Sequence, residues 1–240
     1  MKEGEQIIQS ANKEMQAMLR SVYNYNSSFS LSKEQKKLLS RILFAMSIID
    51  RRFFVEEHSY FDTALGIGKG QTISQPSTVA RMLMLAELKE GDNALEVGTG
   101  SGWNACLISF LVHPGNIISI ERFLELTEKA QRNIKNLKTE LKKTHPEDVE
   151  KIRPDIKAAN IFEFSSKSNF DKIIITAGIK SDEQEKEIEK IASKLLKNNG
   201  VLICPRIYGT LLIFVKKDKK ITRQETSEAY VFVPLEEALE

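Results

Sequence analysis

The stretch Asn93–Gly102, NALEVGTGSG, restricts what this chain can fold into more than any other part of it. Ala94, Leu95 and Val97 read as a short buried strand, and a helix is expected to start near Ser101. Between them Gly98, Gly100 and Gly102 alternate with small polar residues. A turn without Cβ atoms lets a ligand approach the backbone closely. It also presents free N–H groups at a helix start, where the macrodipole is positive. That combination serves a nucleotide-like ligand on a strand–turn–helix unit.

The motif is open between ligands. Gly100, Gly102 and Ala105 fit G-x-G-x-x-A, which a dinucleotide-binding turn can use. Gly98, Gly100 and Gly102, with Glu96 two residues earlier, fit E-x-G-x-G-x-G instead. A carboxylate at the strand end would repel a pyrophosphate and suits a cationic amino acid group. The next expected strand, 116–120, is followed by Glu121, 23 residues after Gly98 and near the spacing of a ribose-binding acid. S-adenosyl-L-methionine has a ribose, an α-amino group and no phosphate, so it satisfies both acids. A plain β–turn–α corner with an acid at its strand end stays open as the other reading.

The rest of the chain is read around this unit. A length of 240 residues suits one domain of ordinary size. Apolar spacing predicts a helix over 5–22, and a second over 32–49 opened by a Ser32/Gln35 capping box. Residues 50–76 show no period but hold four aromatics, which marks a functional loop more than a disordered one. Helices are expected at 76–88, 101–111, 123–143 and 182–197, the last closed by Gly200. Strands are expected at 116–120, 155–159, 172–176, 201–204, 210–215 and 229–233. The Lys216–Lys220 run is placed at the tip of a hairpin between the last two. Such alternation predicts an α/β fold: a doubly wound, mostly parallel sheet, with an antiparallel C-terminal hairpin and added N-terminal helices. A helical segment at 1–50 is expected to pack on a main domain at 51–240. The ligand should lie at the carboxyl ends of the strands.

A net charge of +2 is too mild to argue for nucleic acid or a membrane surface, and the apolar runs are too short to span a bilayer. The N-terminus shows no signal pattern, so a cytoplasmic protein is expected. Cys106 and Cys204 have no metal-ligand spacing and are expected to be buried free thiols. His58, His113 and His145 share no motif, so no metal site is expected.

Several ordered blocks carry a resemblance. They are Tyr60, Asp62, Leu65, Ile67, Gly68 and Gly70, running into Gln71-Thr72-Ile73-Ser74-Gln75-Pro76; Leu95 to Ala105; Ser119-Ile120-Glu121-Arg122; Phe170 to Ala177; and Phe232-Val233-Pro234-Leu235. The chain resembles the protein-L-isoaspartate (D-aspartate) O-methyltransferases over roughly residues 51–236. The GQTISQP block and the terminal FVPL are its most specific parts. The resemblance implies a Rossmann-like methyltransferase fold and methyl transfer from S-adenosyl-L-methionine to isoaspartyl-containing proteins or peptides. It implies that Glu96, Gly98, Thr99, Gly100 and Gly102 hold the methionine part of the cofactor and that Glu121 holds the ribose. Ser74 matches the family's active-site serine. Thr72 and Ile73 would border the cofactor, Ile67, Gly68 and Gln71 the acceptor, and Val233, Pro234 and Leu235 would close the far side.

The chain departs from the family pattern at Gly66, where proline is usual, and at Trp103, where tyrosine is usual. It also reads Ala159-Asn160-Ile161 where the family has Gly-Asp-Gly. On the sequence, Asn160 is expected to replace the aspartate by accepting from the adenine amino group through its carbonyl, without charge assistance, beside the bulkier Ile161. Methylation of a different acceptor, or a catalytically silent cofactor-binding module, are the competing readings. From spacing alone, Ser74 reads equally as a cap of the helix after Pro76.

Overall fold

A computed structural model of the chain describes residues 3–237, so the outer limits of the 1–50 and 51–240 division lie outside the described residues. Three helices come first: α1 (Glu3–Ser10), α2 (Lys13–Ser27) and α3 (Lys33–Ile48). The single helix expected over 5–22 is two, because Asn12 ends the first and caps the second, its side chain accepting from Glu14 N at 3.1 Å. Ser32 and Gln35 form the expected reciprocal capping box on α3. The irregular 50–76 segment contains a small hairpin, β1 (Leu65–Gly68) with β2 (Gln71–Ile73), before α4 (Pro76–Leu85).

The main sheet then alternates with helices: β3 (Asn93–Val97), α5 (Trp103–Val112), β4 (Asn116–Glu121), α6 (Leu124–Thr144), β5 (Asp155–Ala158), β6 (Phe170–Ile175), α7 (Asp182–Leu195) and β7 (Leu196–Pro205). Short β8 (Tyr208–Gly209) precedes β9 (Leu211–Lys217), β10 (Lys220–Glu225) and β11 (Tyr230–Val231). The seven strands run in the order β10-β9-β7-β6-β3-β4-β5. The five from β5 to β7 are parallel, and β9 and β10 add an antiparallel edge.

Two sequence expectations are corrected at this edge. The hairpin partner of β9 is β10, not residues 229–233, which form β11 and pair with β8 outside the main sheet. The missed strand, KITRQE, is exposed on nearly every residue, so it carries no buried stripe to read. Gly200 does not close α7 either, since that helix passes directly into β7 at Leu196.

Alternation along the strands divides the core. Ala94, Ile117 and Ile174 pack with α2 to α6 on one face. Leu95, Val97, Ile173, Ile175 and Leu202 meet Ile188, Ala192 and Leu195 of α7 on the other. Strands covered on both faces explain the near-continuous apolar runs. The order reverses between β3 and β6, so their carboxyl ends diverge there and leave a crevice. Among the described residues no helix is long and apolar enough to cross a membrane. Cys106 and Cys204 are buried free thiols.

Candidate active site

Residues at the carboxyl ends of four parallel strands line the crevice: Val97 and Gly98 at β3, Ile120 and Glu121 at β4, Asn160 and Ile161 just past β5, and Thr176 just past β6. Gln71, Val233, Pro234 and Leu235 also border it. The C-terminal segment is pinned over the β6 end: Gly178 N donates to Val233 O, and Leu235 N donates to Gly178 O, both at 2.7 Å. Gly98, at φ 98°, lies against Thr176, whose hydroxyl donates toward Val97 O and Gly98 O. Any Cβ at residue 98 would meet that hydroxyl.

Glu121 sits at the crevice wall, 5% exposed. One carboxylate oxygen accepts from Gly100 N at 2.8 Å and the other from Phe123 N at 3.1 Å. Each oxygen keeps a further lone pair, so the group can still receive vicinal hydroxyls. Asn160 lines the same wall. Its side-chain carbonyl already accepts from Phe162 N at 3.0 Å, and its buried Nδ2 has no partner. The residue lines the crevice with an unpartnered Nδ2 donor and a second lone pair left on its carbonyl, so its amide can meet both a ring nitrogen and the amino group of adenine.

Glu96 lies on the other face of β3 from Val97 and lines no part of the crevice. It is fully buried, accepting from Ser119 Oγ on the neighbouring strand and from Asn104 Nδ2 at 2.8 Å on α5. The Thr99 hydroxyl bonds that of Ser119 at 2.6 Å. Burial pushes the Glu96 carboxyl up to about 8, against the pull of its Ser119 and Asn104 hydrogen bonds and with a push from Glu121. Burial thus favours its neutral form, and its place behind the turn, on Ser119 and Asn104, keeps it from an ammonium group in the crevice. A carboxyl whose folded value exceeds its ordinary 4.5 binds its proton more tightly when folded. Stability is therefore expected to fall as pH rises from about 4.5 to about 8, by up to about 1.4 kcal/mol per pH unit from this group. Urea midpoints across that interval should show a shallower fall for Glu96→Gln, and an unchanged slope would refute the assignment.

A second groove opens beside the crevice, lined by Thr63, Ser74, Gln75, Tyr25, Tyr230 and Val233 among others. Thr72 and Thr176 line both spaces and mark their junction. A smaller recess under the glycine turn joins Ile73, Ser74, Gly98, Thr99 and Gly100. Ile67 and Gly68 are not brought to this groove; they line a separate cavity with Lys129 and Asn133. Gly102 is buried under α6, where an added Cβ would meet Ala130, so its place is in helix packing. The groove's lining residues carry no charge. Among the described residues no cluster of His, Cys, Asp and Glu could hold a metal ion.

Ser74 is not the helix cap that spacing allows. Gln75 holds the cap position of α4, and Asp62 satisfies the helix start by accepting from both Ser77 N and Ser77 Oγ. The Ser74 hydroxyl makes no hydrogen bond among the described residues, while its carbonyl accepts from Arg51 at 3.2 Å. Tyr60 donates to Asp50 at 2.9 Å, so Tyr60 and Asp62 both fix the loop. Sequence reasoning missed Arg51, Thr176 and the Tyr25–Tyr230 pair. Thr176 alone had a signal, as a hydroxyl residue ending a buried strand at the crevice.

A family model described as protein-L-isoaspartate(D-aspartate) O-methyltransferase matches residues 26–240. The protein-L-isoaspartate O-methyltransferase of Pyrococcus horikoshii is 39% identical over 193 residues, covering 77% of this chain and 80% of the relative. That of Fervidobacterium nodosum is 35% identical over 207 residues, covering 82% and 94%. In shape the chain is similar to a Plasmodium falciparum chain described as a protein-L-isoaspartate O-methyltransferase and solved with S-adenosyl-L-homocysteine. That likeness has a TM-score of 0.71 at 23% identity and covers 94% of this chain and 99% of the other.

Proposed function

The chain belongs to the protein-L-isoaspartate (D-aspartate) O-methyltransferase family, and on that premise we propose that it transfers a methyl group from S-adenosyl-L-methionine to the carboxylate of isoaspartyl residues in proteins or peptides. The observation that carries the reading is the junction at Thr72 and Thr176, where the crevice meets the uncharged groove bearing Ser74. We take 51–240 as the catalytic unit, with the N-terminal helices packed on it, and the cytoplasm as its compartment.

The residues fit the cofactor on three counts. The turn at Gly98 brings bare backbone to the crevice, at a position where the packed Thr176 hydroxyl leaves no room for a Cβ. Glu121 can receive ribose hydroxyls, and the orphaned Asn160 Nδ2 supplies a donor for adenine. When bound, S-adenosyl-L-methionine supplies an electrophilic methyl group on a sulfonium. The acceptor carboxylate is already an anion at pH 7, so the site needs no general base, in keeping with a groove lined by Thr, Ser, Gln, Tyr and apolar side chains. Ser74 donates to one carboxylate oxygen and leaves the other facing the junction. Holding reactants in line can contribute roughly 7–11 kcal/mol. Glu96 and Thr99 act behind the turn, through Asn104 and Ser119.

Ser74→Ala tests this assignment. With an isoaspartyl peptide, turnover is expected to fall roughly ten- to a hundredfold, the loss of one hydrogen bond to a charged group. Affinity for S-adenosyl-L-homocysteine should stay within about twofold, since the Ser74 hydroxyl is assigned to the acceptor. Unchanged turnover, or tenfold weaker cofactor binding at constant turnover, would remove Ser74 from the acceptor site.

A further inference from the structure

One wall of the acceptor groove comes from outside the part of the chain that the family model matches, which begins at residue 26. Tyr25, near the end of α2, lines the groove, and its hydroxyl lies 2.9 Å from that of Tyr230 on β11. Both phenols are half-buried. A second tie joins the segments just after α2 and just before β11 through α4: the Arg81 guanidinium lies 3.9 Å from the centre of the Phe29 ring and pairs with Glu228 at 2.8 Å. Phe29 in turn meets Tyr25 edge to face at 5.4 Å. The Tyr25–Tyr230 bridge is therefore held from both sides.

In a pair of neutral phenols one hydroxyl donates to the other, which leaves the second proton uncommitted. The bridge thus presents one O–H donor and two aromatic rings to a groove whose other lining residues are Thr, Ser, Gln, Ala, Val and Phe232. An uncharged wall of this kind suits a peptide carbonyl and an apolar or aromatic side chain. It offers an acidic one no cation to offset the cost of burying its charge.

The geometry points to Tyr25 and Tyr230 as a specificity-determining subsite for the residue that flanks the isoaspartyl group, which makes the N-terminal helices part of acceptor recognition. The inference rests on the acceptor reading above and adds to it the neighbour that the groove selects. The wild-type protein, Tyr25→Phe and Tyr25→Ala are assayed on three isoaspartyl peptides that carry Tyr, Ala or Glu beside the isoaspartyl residue. Wild type should prefer Tyr over Glu. Tyr25→Phe should raise the peptide KM about three- to tenfold with kcat unchanged, the signature of a lost binding hydrogen bond. Tyr25→Ala should bring the Tyr/Glu preference close to one while affinity for S-adenosyl-L-homocysteine is kept. Wild-type kinetics for both variants on all three peptides would overturn the subsite. So would a rise in KM matched by an equal loss of cofactor affinity. No transfer by the wild type to any of the peptides would overturn the acceptor reading itself and the subsite with it.

Discussion

Replacing Arg51 with methionine is expected to destabilise the fold by about 3–5 kcal/mol and to lower kcat in the molecules that remain folded. Arg51 is fully buried at the start of the irregular segment. Its guanidinium donates to Ser59 O at 2.8 Å, Phe61 O at 3.2 Å, Thr63 O at 3.1 Å and Ser74 O at 3.2 Å. It also lies over the ring of Trp103, at 5.3 Å, while Trp103 Nε1 donates to Ile49 O at 3.0 Å. Burial lowers its pKa to about 10, with Asp62 opposing, so it stays charged at neutral pH. One cation therefore gathers three loop carbonyls and that of Ser74. Methionine fills much of the volume but supplies no donor, so four carbonyls lose a charged partner together. Arg51→Lys keeps the charge without the planar fork and should recover only part of the stability. Urea denaturation reads the loss as a lower midpoint at constant slope. A midpoint within about 0.5 kcal/mol of wild type would show that the loop and Ser74 are held by something else.

Gly98→Ala is expected to weaken S-adenosyl-L-homocysteine binding roughly a hundredfold, about 2.7 kcal/mol. Two effects act together. The backbone at residue 98 has φ 98°, which a side chain rarely adopts. The new Cβ would also displace the Thr176 hydroxyl from Val97 O and Gly98 O, at the junction of crevice and groove. Gly66→Ala is the control, because no atom lies within 4 Å of a Cβ there. That variant should bind as wild type does. Calorimetric titration of both proteins checks the pair. Equal affinity in Gly98→Ala would mean that the cofactor does not approach this turn.

The parts of the fold legible in the sequence are those governed by local pattern. Buried parallel strands such as Lys172–Ile175 read as apolar runs, and the stripe Leu126, Ala130, Ile134, Leu137 and Leu141 fixed the face of α6. The edge strand β10 was not legible, because only Ile221 in it is partly covered. Glu96 was placed in the right region but on the wrong side of its strand, and the bond that Asn160 makes to the following turn was not foreseen. The alternation of β3 turns Glu96 away from the crevice, and the turn at Phe162 takes up one lone pair of the Asn160 carbonyl. Neither effect shows in residue identity. Arg51 and Tyr25 act through partners 8–23 and 205 positions away, and their roles exist only after the chain has folded.

Incubation with methyl-labelled S-adenosyl-L-methionine and a matched pair of peptides, one isoaspartyl and one normal aspartyl, decides the function. Base-labile label on the isoaspartyl peptide alone is the predicted result. Label on both peptides equally, or on neither while the protein binds the cofactor, would contradict isoaspartyl methylation and assign the groove beside Ser74 to a different acceptor.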